Sequence, residues 1–302
     1  MADGRRGLWA EGVYSNVTAY ALVSDKQFIA DKCLLHRRHV VKMVRITNSG
    51  HIGGSFSAAE LLATLYYSFL KHDPANPKWE GRDYFVYSKG HISPLAYSIL
   101  ADCGYFPKAE LATFRKLGTR LQGHPDRMKV PGIEASTGPL GEGFSMALGI
   151  ALALRVDKKP NHVWAITGDG EHQEGEVWEA IMAAGNFKTD NLTIILDYNK
   201  KQNTCEIDKI MCLEPIADKY RAFGWNVIEI IDGHDIGQIM DAYRKALAFK
   251  GKPTVIIAHT VKGKGVSIFT QEASGFHGAP PNDAEFAKAM AELGPAKEPD
   301  FF

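Results

Sequence analysis

What the chain has little of narrows its class before any motif is read. It contains no run of about 18 apolar residues, so no helix of membrane-spanning length is expected. Neither sign of charge is in excess, with 35 Lys and Arg against 35 Asp and Glu, and basic residues form no dense run. That balance argues against a nucleic-acid partner and against an anionic membrane surface. Cysteine is scarce: Cys33, Cys103, Cys205 and Cys212 are scattered without the paired spacing of a metal site. They read as reduced thiols of a cytoplasmic protein, not as a disulfide framework. The opening MADGRRGLWAEG has two arginines but no apolar segment, so it does not read as a secretory signal. Internal repeats and low-complexity tracts are missing too.

What is present is ordinary globular material, 302 residues that are 45% hydrophobic and 23% charged. Hydrophobic periodicity predicts helices over 24–45, 58–70, from about His91 to Cys103, and over 144–156. The last of these carries small residues, Ala147, Gly149, Ala151 and Ala153, that permit close packing. Asp83–Tyr87 reads as a short strand, Gly50–Gly54 as a break, and the Gly- and Pro-rich stretch 118–143 as functional loop. Strands over 162–167, 192–197, 226–230 and 253–259 then alternate with helices over 177–187, 216–223 and 236–249. A Gly/Pro stretch, 275–281, leads into a last helix over 284–293. This rhythm predicts an α/β fold, a parallel sheet flanked by helices on both faces. No linker interrupts it, so residues 1–302 read as one domain with short terminal extensions.

The stretch Trp164–Lys201 carries the chemistry. An apolar strand ends in Gly168-Asp169-Gly170, and the next ends at Asn199. In open α/β sheets ligands collect at the carboxyl ends of strands. The two glycines let a backbone approach phosphate oxygens closely. Asp169, the Asn199 side chain and the Lys201 carbonyl are hard oxygen ligands suited to Mg²⁺, with Ca²⁺ or Mn²⁺ as substitutes. A tight turn with Asp169 as a helix N-cap would use the same residues. Asn199 at the neighbouring strand end tips the balance toward a metal–diphosphate site.

Gly168-Asp169-Gly170 through Asn199 resembles the thiamine-diphosphate motif of the transketolase family, although Tyr198 stands where the commoner motif has a first asparagine. The resemblance extends to Ser49-Gly50-His51-Ile52-Gly53-Gly54, Arg82–His91, Gln122–Asp126, Thr137–Gly143 and Phe276–Pro280, in the family order. It implies a thiamine-diphosphate-binding fold with that cofactor and Mg²⁺ held by Gly168, Asp169, Gly170 and Asn199. His91 and His277 would contact the diphosphate and the reacting sugar, with His277 or a neighbour as general base. His51 and His124 would touch donor hydroxyls. Gly138 would turn its carbonyl to the aminopyrimidine, and Leu140 would pack near the cofactor rings. Glu174 corresponds to a buried glutamate joining two cofactor sites across a subunit interface, or is simply a first-turn helix acid. Lys200, Lys201, Lys262 and Lys264 read as solvated lysines, with phosphate donors as the alternative, and the other histidines read as structural.

The matched segments cover only the diphosphate-binding part of a transketolase. The resemblance therefore implies the N-terminal subunit of a split enzyme, in a heterotetramer with a separate C-terminal, pyrimidine-binding subunit. The implied reaction moves a two-carbon ketol unit from a ketose to an aldose, with pentose phosphates as the default substrates and a specialised sugar pathway left open. Competing readings are deoxyxylulose-phosphate synthase, the alpha subunit of a 2-oxo acid dehydrogenase, or a non-catalytic assembly subunit.

Overall fold

A computed structural model describes residues 23–271 and 276–301. The N-terminal segment tested for a signal, and Gly275, lie outside the described residues. Helix α1 (Lys26–Thr47) starts where the Asp25 carboxylate accepts the amides of Gln27 and Phe28, and ends at Asn48 in the left-handed conformation. Then follow α2 (Gly53–Ser57), α3 (Ala59–Ser68), β1 (Tyr84–Tyr87), α4 (Ser93–Cys103) and α5 (Glu142–Val156). The regular half runs β2 (Val163–Gly168), α6 (Gly175–Asn186), β3 (Leu192–Tyr198), α7 (Ile216–Ala222), β4 (Asn226–Ile230), α8 (Ile236–Ala248) and β5 (Thr254–His259). Two further helices are α9 (Ser267–Gln271) and α10 (Asp283–Leu293), the latter opened by a capping box between Asn282 and Glu285. Each helix and strand expected from periodicity is present, with its ends displaced by no more than two residues. The five-residue helices α2 and α9 are too short to show a period and were not expected.

The five strands form one parallel sheet in the order β1-β2-β3-β5-β4. Successive side chains of a strand point to opposite faces, and both faces are covered. Trp164, Ile166, Ile195 and Ile256 pack with α1, α3, α4 and α8. Val163, Ala165, Ile194 and Val255 pack with α5, α6 and α7. This double burial is why the strands read as continuous apolar runs. β1 and β5 lead into α4 and α9 on the first face; β2 and β3 lead into α6 and α7 on the second. Neighbouring strands whose connections leave to opposite sides open a crevice at the carboxyl edge. The register there sets Gly168 beside Asp197, and Tyr198 beside His259.

Among the described residues none of the four cysteines forms a disulfide, and no helix is long and apolar enough to cross a membrane. His36, His39, His72, His162 and His172, read as structural, are buried within the fold.

The small residues of α5 divide differently from expectation. Ala147 and Ala151 are buried, but Gly149 and Ala153 face outward, because only one side of the helix meets the sheet. The tight approach comes earlier, at Gly143. A Cβ there would stand 2.5 Å from Ser88 Cα, so the first turn of α5 lies directly on the loop that leaves β1. Gly143→Ala is expected to lower stability by about 1–3 kcal/mol by wedging α5 off that loop. Urea unfolding measures it; an unchanged midpoint would mean the helix slides without cost.

Candidate functional site

A cavity of about 210 Å³ opens at the carboxyl edge of the sheet. Its lining includes Gly168, Asp169 and Gly170 from the end of β2, Asn199 and Lys201 from the end of β3, and His91 from the turn after β1. Leu140, Glu174 and His277 complete the expected residues in its wall. His51 and His124 flank it: the His51 ring lies 5.3 Å from His91, 5.2 Å from His277 and 6.2 Å from His124. Gly138 sits behind His124 and against Gly90. Gly54 lines the opposite wall, where a Cβ would lie 3.2 Å from His91 Nε2, so only glycine lets that histidine sit so close.

Three charged groups that sequence patterns did not single out sit beneath this surface. Asp197, fully buried near the end of β3, pairs with Lys89 from the loop after β1. Its Oδ2 also accepts the Ser57 hydroxyl at 2.5 Å, and its Oδ1 the Thr260 hydroxyl. Burial pushes this carboxyl up; Lys89 and the hydroxyls outweigh that and hold it below the usual range. Glu171, also buried, accepts the amides of Gly168 at 2.9 Å and Gly141 at 3.0 Å, and the Ser88 hydroxyl. It therefore ties the Gly168 turn to the loop before α5. Beneath the same turn, His172 reaches the Gly168 carbonyl at 2.8 Å and the Tyr220 hydroxyl at 2.7 Å.

Lys262 corrects the solvated reading. It is 2% exposed, and its ammonium donates to the Gln202 carbonyl at 3.0 Å and to His277 Nδ1 at 3.1 Å. Burial and the neighbouring Lys89 charge bring it down to about 8. Lys264, two residues on, is exposed as expected. Glu174 occupies the N-cap position of α6 without making a capping bond and is exposed in this chain, so its burial would require another chain. Tyr198 is buried, with its hydroxyl donating to Glu214 at 2.7 Å.

Among the described residues no cluster of three or more His, Cys, Asp or Glu stands ready for a metal. A metal here depends on the mixed oxygen set. Asp169 is 2% exposed and, among the described residues, accepts only backbone amides, from Gly170 at 2.8 Å and from Lys200. Burial, with the Asp197 charge behind it, pushes its carboxyl up to about 7. Asn199 Oδ1 accepts the Lys201 amide at 3.1 Å, and Gln202 Oε1 nearby is buried with no partner among the described residues. A buried carboxylate short of positive charge, beside further oxygens on one turn, fits a divalent cation. Around it, burial pushes His51 down to about 4 and His277 to about 3, and lowers His91 and His124 as well. All four imidazoles are thereby neutral at neutral pH.

Replacing Lys89 by Met strands the Asp197 carboxylate in the interior. The loss is expected to be about 3–5 kcal/mol, the range for breaking one side of a buried pair. Lys89→Met with Asp197→Asn should recover much of it. A double-mutant cycle by urea unfolding checks this, and strictly additive losses would rule out the pair as the cause.

Residues 30–302 match the family profile described as transketolase, thiamine diphosphate binding domain. A 6-deoxy-6-sulfo-D-fructose transketolase subunit from Clostridium sp. (strain MSTE9) is 43% identical over 86% of this chain and 96% of its own length. An apulose-4-phosphate transketolase subunit from Phocaeicola vulgatus is 37% identical over 85% of this chain and 91% of its own. The solved transketolase of Campylobacter jejuni superposes with a TM-score of 0.86 at 33% identity, over 92% of this chain. The chain spans only 44% of that solved protein's length. By the profile match and these identities, the chain belongs to the transketolase family.

Proposed function

We propose that this chain is the diphosphate-binding subunit of a split transketolase, a single domain of that type from residue 1 to 302. A separate pyrimidine-binding subunit would complete the active site in a heterotetramer of two copies of each. The observation that carries this is likeness to proteins named as subunits. Two such relatives are 43% and 37% identical to this chain, against 33% for the solved transketolase, and they are matched over 91–96% of their own length. The substrates named for those two subunits are sugars bearing a sulfonate or a phosphate. The donor proposed here is accordingly an anionic ketose and the acceptor an aldose phosphate, in the cytoplasm.

Thiamine diphosphate supplies the nucleophilic carbon and the electron sink that ketol transfer needs. The chain's residues do the rest. Asp169, the Asn199 side-chain oxygen and the Lys201 carbonyl would hold Mg²⁺, and Gly168 and Gly170 leave room for the diphosphate. Lys262 places positive charge beside that position, and His277 shares a hydrogen bond with it. His91 and His277, neutral and facing the cavity, would bind the reacting end of the sugar, with His277 or a neighbour taking the proton of the donor hydroxyl. His51 and His124 would hold further hydroxyls. Gly138 and Leu140 would bound the cofactor rings, and Glu174 would meet the second cofactor site across an interface.

Two measurements test this. The purified chain alone should show no ketol transfer, and activity should appear on mixing with the pyrimidine-binding subunit; full activity of the chain alone would refute the split assignment. In Asp169→Ala, calorimetric affinity for thiamine diphosphate with Mg²⁺ should fall at least tenfold, and EDTA should have the same effect on the unsubstituted chain. Unchanged affinity in both would remove the metal assignment.

A further inference from the structure

Arg115 lies outside every motif in the sequence. It follows the 3-10 turn Lys108–Thr113, has a φ of 56°, and donates its amide to the Leu121 carbonyl at 2.9 Å. The loop so closed turns the guanidinium inward to the histidine cluster. Nη1 donates to Ser49 Oγ at 2.6 Å. Nη2 lies 3.4 Å from the Gly123 carbonyl and 3.5 Å from His51 Nδ1. Nε is buried and has no partner among the described residues. A Cβ on Gly123 would lie 2.8–2.9 Å from three guanidinium atoms, so the group rests flat on that backbone. One side chain therefore joins the loop carrying His51 to the loop carrying His124.

A guanidinium donates hydrogen bonds, accepts none, and stays charged in proteins. The His51 nitrogen that faces it must therefore be the one with the lone pair. In the neutral ring the proton is then on Nε2, which points away from Arg115, toward Gly278 and His277. The charged and titratable groups facing His51 are Arg115, His91, His124, His277 and Lys262. Each is neutral or positive, so none favours an imidazolium, and a proton added at Nδ1 would meet the guanidinium head on.

We infer that Arg115 is a positioning residue that holds His51 as the neutral Nε2–H tautomer, making His51 a hydrogen-bond donor to a substrate oxygen and not a base. The inference rests on the proposed function only for the identity of that oxygen, a sugar hydroxyl or carbonyl. It also removes His51 from the candidates for proton removal; His277 Nδ1 faces the Lys262 ammonium in the same way, so that ring too carries its proton on Nε2 while Lys262 is charged. The same guanidinium lies against Gly123, so it fixes the loop of His124 while it sets the tautomer of His51.

Histidine-selective ¹⁵N NMR of the full chain tests this directly, with His51→Gln to assign the signal. In the unsubstituted chain His51 Nδ1 should show the shift of an unprotonated nitrogen and Nε2 that of a protonated one, unchanged from pH 8 to pH 5.5. Arg115→Gln, which keeps donors but removes the charge, should raise the His51 pKa by roughly one unit or more. Arg115→Lys should keep that pKa low while mixing the tautomers. A proton on Nδ1 in the unsubstituted chain overturns the inference, and so does a His51 titration in Arg115→Gln that coincides with the parent's. The first reading needs no variant, so a substitution that misfolds does not shelter the idea. In the complex with the partner subunit, Arg115→Gln should raise KM for the donor and move the acid limb of kcat/KM to higher pH. Affinity for thiamine diphosphate should stay as it was. Failure of ketol transfer in the parent complex would strike the proposed function and leave the NMR result standing.

Discussion

The Asp197 carboxylate, shut away from water near the end of β3, is the group on which the site depends. An unpaired carboxylate in that position would be too costly to keep ionised. Its partners come from four other places: Lys89 after β1, Ser57 at the end of α2, Thr260 after β5, and, at 3.4 Å, the Asn199 amide on the turn after β3. Each partner heads a segment that lines the cavity. Lys89 fixes the turn that presents His91, and its ammonium reaches the Gly54 carbonyl at 3.3 Å. Thr260 fixes the turn that presents Lys262. Satisfying one buried charge thus draws together segments up to 140 residues apart.

A second buried acid, Glu171, does for the cofactor loop what Asp197 does for the sheet edge. Burial pushes its carboxyl up; the Ser88 hydroxyl and the amides of Gly168 and Gly141 oppose this. Those two amides belong to the turn around Asp169 and to the loop that carries Leu140. Because both loops answer to one carboxylate, they cannot shift independently. The His172 bridge to Tyr220 then pins the Gly168 turn to α7 behind it. Such fully satisfied polar networks rigidify where half-satisfied ones would not.

Much of this was legible in the sequence, for definite reasons. Strands buried on two faces leave continuous apolar runs, and helices with one buried side leave a period, so the elements could be read closely. Gly168-Asp169-Gly170 and the glycine-flanked histidines stood out as particular residue types at short spacing, and the fold brings them in or beside one cavity. The charged underlayer was not. Asp197 looks like the polar end of an apolar strand, and its partner Lys89 is 108 positions away, a distance no local pattern records. Lys262 followed the ordinary rule that lysines are solvated, and failed it because two backbone carbonyls and His277 surround its ammonium. Arg115 escaped for a similar reason: its contacts with Ser49 and Gly123 exist only after three loops have met. The strand order, with β5 placed between β3 and β4, is likewise a tertiary fact.

The electrostatics of the cavity explain why an anion and a cation should arrive together. Asp169, with its carboxyl near 7, is short of positive charge; Lys262, near 8, is short of negative charge. They satisfy each other only in part: the Asp169 charge favours the Lys262 ammonium, but burial and Lys89 outweigh it. The Lys262 ammonium is spent on the Gln202 carbonyl and His277, and the Asp169 oxygens on the amides of Gly170 and Lys200. A free diphosphate would serve Lys262 but repel Asp169, and a bare divalent ion would do the reverse. A divalent ion carrying a diphosphate would serve both: Asp169 would hold the metal, and Lys262 and the Gly168–Gly170 backbone would hold the anion. Two groups held away from their ordinary pKa values in opposite directions, within one cavity, are thus a demand for a paired ligand. That demand is a stronger argument for a metal–diphosphate than either residue makes alone.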